Sequence, residues 1–303
     1  MTGRIAVTGA SGRLGSAVLD VLGSGPGSVA IGWGRDAFDL DAPATLSASV
    51  ERDRPDTVVH CAAWTDVDGC AREPELADQR NGLATGALAK ACAERGIDLL
   101  VVSTNEVFDG ERTDGQPYRP TDPTAPRNPY GRSKLLGETL AREVFAAASS
   151  SNLWVVRTAW LFGGAGRDFP SKIAAAAHKA RTAGETLRLV ADEIGCPTLA
   201  RDLAAGILDL IGDPTSAGVH HVVNGGFCSR AEWARRVLRL AGIDVVTEDV
   251  PLDTWRRDSE PPRWGVLEPT ALPTLGRLRR WEPALEEDLR QRDVAVAAPS
   301  AAG

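Results

Sequence analysis
Between residues 5 and 157, five short apolar runs, at 5–8, 28–33, 57–61, 99–103 and 153–157, are separated by segments with helically spaced apolar residues, at 14–22, 46–52, 75–94 and 130–148. Strands that are apolar along their whole length are covered on both faces. Parallel strands also need a long crossover between them, usually a helix. The pattern therefore predicts an α/β chain with a Rossmann-type, doubly wound parallel sheet over residues 1–165. Beyond 165 the alternation stops. A helix is expected over 169–183, a strand over 187–190, a helix over 200–210, and another from the capping box of Ser229 and Glu232 to Leu240. Pro-rich connections follow from 251 to 273. Residues 166–303 are expected to form mainly a smaller C-terminal lobe, with the chain returning to the first domain around 190–212. The tail at 295–303 is small and polar and is expected to be disordered.

Composition removes several classes of function. A chain of 303 residues with 43% hydrophobic and 25% charged residues can bury a large globular core. A net charge of −7 supplies no basic field for nucleic acid, and the densest basic cluster, Arg277, Arg279 and Arg280, reads as a solvated helix face. No run of about 18 apolar residues occurs, so no membrane span is expected. The N-terminus lacks the order of a signal peptide. Cys61, Cys70, Cys92, Cys196 and Cys228 are odd in number and lack CxxC spacing, which suits reduced thiols in the cytoplasm. His220 and His221 sit in an apolar run where strand neighbours face opposite ways, so no metal site is expected.

The first apolar run ends in Thr8-Gly9-Ala10-Ser11-Gly12-Arg13-Leu14-Gly15. Glycines at 9, 12 and 15 let the chain turn tightly, bring backbone N–H groups against a pyrophosphate, and seat the following helix close to the sheet. A turn that binds nothing is the plain alternative; the place at the first strand–helix junction favours a dinucleotide. The adenosine ribose is expected at the end of the second strand. Arg35 there is placed for a 2′-phosphate, which leans toward NADPH, while the adjacent Asp36 leaves NADH open; Asp39 and Leu40 would flank the adenine.

The chain has two tyrosines and four lysines, and one of each forms Tyr130-Gly131-Arg132-Ser133-Lys134. Positions i and i+4 share a helix face. An ammonium there stabilises a phenolate, and such a tyrosine can give a proton to a carbonyl oxygen during reduction. The lysine can also hold a nicotinamide ribose. Ser103-Thr104 closes a strand, where active sites of parallel sheets lie, and supplies a hydroxyl to orient the carbonyl. A surface Tyr–Lys pair and a helix-capping hydroxyl are the plain alternatives.

These residues resemble the extended short-chain dehydrogenase/reductase superfamily and, within it, the dTDP-4-dehydrorhamnose reductase family. The likeness spans nearly the whole chain. It is carried by Ala62-Ala63-Trp64-Thr65-Asp66-Val67-Asp68, Glu73-Pro74-Glu75 and Asn81, by Ser103-Thr104-Asn105-Glu106-Val107-Phe108-Asp109-Gly110, and by Asn128-Pro129-Tyr130-Gly131-Arg132-Ser133-Lys134. Arg157-Thr158-Ala159-Trp160-Leu161-Phe162-Gly163 and Asp192-Glu193-Ile194-Gly195-Cys196-Pro197-Thr198 complete it. The resemblance implies Thr104, Tyr130 and Lys134 as the catalytic set. It implies that Gly12, Arg13 and Leu14 touch the cofactor, with Asp39, Leu40, Ala62, Ala63 and Val102 nearby; together with Gly9, Ser11 and Gly15 of the loop, Arg35 after the second strand, and Tyr130 and Lys134, these are the expected cofactor residues. Thr104, Asn105, Glu106 and Trp160 would meet a nucleotide-linked sugar gripped by a substrate-binding lobe.

The chain departs from the family pattern at two places. Asn105-Glu106 stands where the family has Asp-Tyr, and Glu193 where it has Gln. The expected reaction is NADPH- or NADH-dependent reduction of a 4-keto-6-deoxysugar, dTDP-4-dehydrorhamnose first among them. The departures leave the exact sugar open, a branched sugar such as a streptose precursor included. A nucleotide-sugar epimerase or dehydratase and a non-catalytic NADP-binding regulatory subunit are the alternatives from other classes. A homodimer, and a magnesium ion between its subunits, are left open.

Overall fold
The computed structural model describes residues 3–25, 27–148, 150–164 and 167–297. The first part of the chain runs β1 (Gly3–Thr8), α1 (Arg13–Gly23), β2 (Ser28–Trp33), α2 (Leu46–Asp53), β3 (Thr57–His60), α3 (Val67–Arg72) and α4 (Pro74–Ala77). A π-helical turn (Asp78–Leu83) leads into α5 (Ala84–Ala93), β4 (Asp98–Thr104), α6 (Pro129–Ala146) and β5 (Leu153–Thr158). The second part runs β6 (Leu161–Phe162), α7 (Phe169–Ala183), β7 (Leu187–Val190), β8 (Ile194–Gly195), β9 (Thr198–Leu199) and α8 (Ala200–Ile211). It ends with β10 (Gly218–His221), β11 (Cys228–Ser229), α9 (Arg230–Leu240), β12 (Thr247–Val250), β13 (Trp264–Gly265) and α10 (Trp281–Ala297).

Six strands form one parallel sheet in the order β10-β5-β4-β3-β1-β2. From β1 the chain builds outward first to β2, then in the other direction through β3, β4 and β5. The direction reverses between β1 and β3, which opens a crevice at their C-terminal ends. Period-two alternation assigns each residue to a face. Ile5, Val7 and Leu100 pack with Leu14, Val18 and Leu203 under α1 and α8, whereas Ala6, Leu99 and Val101 pack with Leu88, Ala141 and Phe145 under α5 and α6. Each fully buried Leu, Val or Phe contributes about 1.5–3 kcal/mol, so both layers are strongly fixed.

The strand-like run at His220 and His221 turns out to be the sixth strand of the main sheet, a pairing that its own residues do not show. His220 and His221 lie in β10, which pairs with β5 at the sheet edge. His220 Nε2 lies 2.7 Å from the Ser216 carbonyl, and the buried His221 ring meets Phe108 edge-on at 5.6 Å. The expected single helix over 75–94 is broken into α4, the π turn and α5. Helix α8 covers α1's side of the sheet. A second core gathers Phe162, Trp233, Trp281 and Leu285 from β6, α9 and α10. The expected helices over 169–183 and from Ser229 are present, the latter opened by the reciprocal Ser229–Glu232 capping box. The expected disordered tail begins inside α10, which runs to Ala297; residues 298–303 lie outside the described residues.

Candidate active site
The glycine loop occupies the crevice between β1 and β3. Gly9 has φ +63°, and a Cβ there would lie 3.0 Å from the backbone of Ala62 at the end of β3. Gly15 sits in the first turn of α1, where a Cβ would fall 2.2 Å from the Gly9 carbonyl oxygen. The loop and helix thus touch through backbone alone. Gly12 is the N-cap of α1 and provides no side-chain cap, and no acidic residue lies in the first turn. Free N–H groups at a helix start, with no carboxylate beside them, suit a pyrophosphate. Ala62 and Ala63 at the end of β3 and Val102 in β4 are small or partly buried, leaving room above the sheet edge. This geometry fits a dinucleotide.

Other expected cofactor residues are placed differently from one another. Ser11 is exposed on the loop, and Leu14 is buried in the core under α1. The Arg13 guanidinium turns away to the Gly163 carbonyl, the Arg167 carbonyl at 3.1 Å and Asp168 at 3.7 Å. Only its backbone remains for a ligand at the loop. Arg35 and Asp36 are exposed just past β2. Asp39 accepts from the Asp41 amide at 3.0 Å, and Leu40 packs against the core beside α5.

Thr104 ends β4, and Tyr130 and Lys134 lie one turn apart at the start of α6. Asn128 caps that helix, its Oδ1 accepting from the Gly131 amide at 2.7 Å, and Pro129 occupies the first turn. The Thr104 hydroxyl acts on the Tyr130 phenol as a hydrogen-bond partner that favours ionisation, but burial, Glu106 and Cys70 outweigh it and push the phenol up. The expected lowering by Lys134 does not govern this site. A neutral phenol is what a proton donor requires. Tyr118, the other tyrosine, is bound to Asp109 and to the Gly110 amide at 3.1 Å.

Lys134 is buried, and burial lowers it to about 8, against the raising effect of Glu138 and Cys61. Its charge also lowers His60, so the ammonium reaches from α6 toward the end of β3. Glu138, one turn further along α6, is buried with Arg157 in a fork of bonds at 2.7, 3.0 and 3.2 Å. This pair places a carboxylate behind the lysine, a feature visible as i+4 spacing in the sequence but not read there.

Two further networks join residues that lie far apart in the sequence. Thr8 Oγ1 meets His60 Nδ1 at 2.8 Å and accepts from the Ala62 amide at 3.1 Å; His60 Nε2 meets Thr85 Oγ1 at 3.1 Å. Burial holds this histidine neutral, down to about 3. The network fixes the Ala62 wall of the crevice. Asn81, in the π turn, accepts from the Trp64 amide at 2.8 Å and donates to the Trp64 carbonyl at 3.0 Å and to Ser133 Oγ at 3.1 Å. It ties the loop after β3 to the helix carrying Tyr130 and Lys134. A π turn that aims one side chain at such a junction is common beside functional sites.

Just before β6, Trp160 has φ +43°, a strained conformation for a tryptophan. Its ring stacks on Trp233 at 5.6 Å, with the Arg230 guanidinium 3.6 Å from its centroid. Arg230 is bound in turn to Glu193 Oε1 at 2.8 and 3.0 Å. Asn105 is buried against Gly265, and Glu106 is partly exposed beside Asn128. The structure brings Thr104, Glu106 and Tyr130 together; Trp160 joins them indirectly, through Arg230 and Glu193, whose charges reach Glu106. A cleft of about 790 Å³ opens beside this region, lined by Gly110, Arg127, Ile194, Trp255, Pro262 and Trp264. It does not include Thr104, Tyr130 or Lys134.

No helix among the described residues is long and apolar enough to cross a membrane. The family model described as RmlD substrate binding domain matches residues 3–293. The chain is 32% identical to the spore coat polysaccharide biosynthesis protein SpsK of Bacillus subtilis, over 96% of this chain and 99% of that protein. It is 35% identical to a dTDP-4-dehydrorhamnose reductase of Streptomyces griseus, over 93% of this chain and 91% of the relative. A crystal structure of dTDP-4-dehydrorhamnose reductase from Bacillus anthracis in complex with NADP superposes with a TM-score of 0.86 at 29% identity, covering 96% of this chain and 100% of that one.

Proposed function
This chain belongs to the RmlD, or dTDP-4-dehydrorhamnose reductase, family, and on that premise we propose that it reduces the C4 ketone of a nucleotide-linked 4-keto-6-deoxysugar, dTDP-4-dehydrorhamnose or a close relative, with NADPH. The observation that carries the reading is the placement of Thr104, at the end of β4, against the first turn of α6 through Glu106 and Gly131, with Tyr130 in that turn and Lys134 one turn along the same helix.

The glycine loop of Gly9, Gly12 and Gly15 would hold NADPH, which would supply the hydride. Thr104 orients the sugar carbonyl by donating a hydrogen bond to its oxygen. Tyr130 gives its phenolic proton to that oxygen as the alkoxide develops. Lys134 does not set the ionisation of the resting phenol; it is the cation one turn along the helix that would offset the phenolate left behind and hold the nicotinamide ribose. Trp160, Asn105 and Glu106 bound the sugar. The cleft beside Trp255 and Trp264 takes the nucleotide end: its volume is in the range of ligand pockets, its tryptophans can stack on a base, and Arg127 and Arg263, paired with Glu111 and Asp253 among the carboxylates of the same lining, would exchange those partners for a diphosphate. Closure of the lobe excludes water from the reacting centre. The enzyme works in the cytoplasm, a compartment that its five free cysteines support.

The test is NADPH oxidation, followed at 340 nm, with dTDP-4-dehydrorhamnose as substrate. Tyr130→Phe should lower kcat by roughly 100-fold or more, the usual worth of a positioned proton donor, while NADPH still binds. Near-normal turnover in that variant would overturn the mechanism.

A further inference from the structure
Glu106 stands two residues beyond Thr104, wedged against the helix that carries Tyr130. A Cβ on Gly131 would lie 2.0 Å from the Glu106 carbonyl oxygen, so only glycine lets α6 approach this closely. The Glu106 amide donates to Thr104 Oγ1 at 3.2 Å. Its Oε2 accepts from Asn128 Nδ2 at 2.6 Å, and the same amide group donates to the Glu260 carbonyl at 3.0 Å. Asn128 therefore fixes the carboxylate, the Tyr130 helix and the loop before β13 relative to one another.

The second oxygen, Oε1, takes no hydrogen bond among the described residues, and the side chain is partly exposed. Nearby cations are engaged elsewhere: Arg230 with Glu193, and Arg257 with Asp68 at 3.3 Å. The groups that face Glu106 are Tyr130 from α6, Cys70 from α3, Glu193 and Arg230 from the lobe, and Arg257 from the segment before β13. Burial, reinforced by Glu193, lifts the carboxyl to about 7. Glu106 and Glu193, two of the three residues at which this chain departs from its family's pattern, are thus near enough for the charge of Glu193 to raise Glu106.

A carboxyl with one oxygen left over, beside the proton donor, is an acceptor for a donor on the sugar. Resting on the reductase reading, we infer that Glu106 determines substrate choice by accepting a hydrogen bond from a hydroxyl on the ring carbon next to the reacting ketone. A bound sugar displaces water from this partly exposed oxygen, so one without that hydroxyl leaves the carboxylate desolvated and unpaired, which is a basis for rejection.

The experiment compares kcat/KM for dTDP-4-dehydrorhamnose and for its 3-deoxy analogue, in the full-length wild type, E106L and E106Q. Wild type should favour the hydroxylated sugar by roughly ten- to a hundredfold, the range for one hydrogen bond to a charged acceptor. E106L should bring that ratio close to unity. E106Q keeps an acceptor oxygen but does not titrate, so it should retain part of the preference. In wild type, KM for the hydroxylated sugar should fall as pH rises through about 7, where the carboxyl ionises, and in E106Q it should stay flat. An E106L ratio equal to that of wild type overturns the inference alone. So does an E106Q pH profile of KM that matches wild type, which covers the case of an unstable E106L. No turnover of either sugar by wild type overturns the reductase reading as well.

Discussion

Gly15→Ala adds one methyl group to the first turn of α1, and its effect can be worked out from backbone distances. The new Cβ would lie 2.2 Å from the Gly9 oxygen and 2.8 Å from the Gly9 carbonyl carbon, where real Cβ contacts essentially never fall below 3.0 Å. The helix and the loop must therefore separate by about 0.8 Å, and because the obstacle is backbone, no rotamer change relieves it. Overpacking of this kind costs about 1–3 kcal/mol, against a helix-propensity gain of at most about 1 kcal/mol. A pyrophosphate held by loop N–H groups would lose their alignment, for a NADPH Kd raised about tenfold or more. Gly23→Ala, in the last turn of the same helix, is the control: a Cβ there meets nothing within 4 Å. It should add about 0.4–1 kcal/mol through the unfolded state and leave NADPH affinity alone. Urea unfolding and a NADPH fluorescence titration read both quantities. A Gly15→Ala protein with wild-type affinity and stability would refute the close-approach argument.

Other expectations follow from the buried charges. Lys134 should lose its proton near pH 8, so kcat/KM for reduction should fall as pH rises through that value; Glu138→Gln removes the raising influence and should move the descending limb to lower pH. The same substitution leaves Arg157 buried without its partner and should cost about 3–5 kcal/mol in chemical denaturation. Asp168 caps α7 and holds Arg13 and Arg292, with its carboxyl held well below the usual carboxylate range by Arg292 and the Gly163 and Ser171 amides, despite its burial. Its folded value is depressed, so its stabilisation is present above the ordinary carboxylate range and lost as pH falls below it. Asp168→Asn should flatten the acid limb of stability against pH. Burial pushes the Cys92 and Cys196 thiols up to about 12, so both should resist thiol reagents until urea unfolds the chain.

Much of this protein is legible in its residues because the signals are local. The apolar runs at 5–8, 57–61 and 99–103 are continuous because both faces of the sheet are covered, and the same physics produces the alternating packing of Leu99, Leu100 and Val101. The glycine spacing at 9, 12 and 15 and the i, i+4 pair of Tyr130 and Lys134 are single-element patterns, so each can be recognised before the chain is folded. What depends on distant segments meeting is not written in any window. β10 joins the sheet only by pairing with β5, about sixty residues earlier, and the two-residue strands of the lobe are too short to show a period. Arg13 lies inside the glycine motif, yet its guanidinium binds the Gly163 carbonyl, 150 residues away. The balance at Tyr130 is likewise tertiary. An ammonium at i+4 suggests a lowered phenol, but the burial of the site and the carboxyl of Glu106, brought against α6 by the close approach at Gly131, decide the direction. Local spacing determines which groups can share an element; desolvation and long-range contact, which exist only once the chain is packed, decide what charge each group carries.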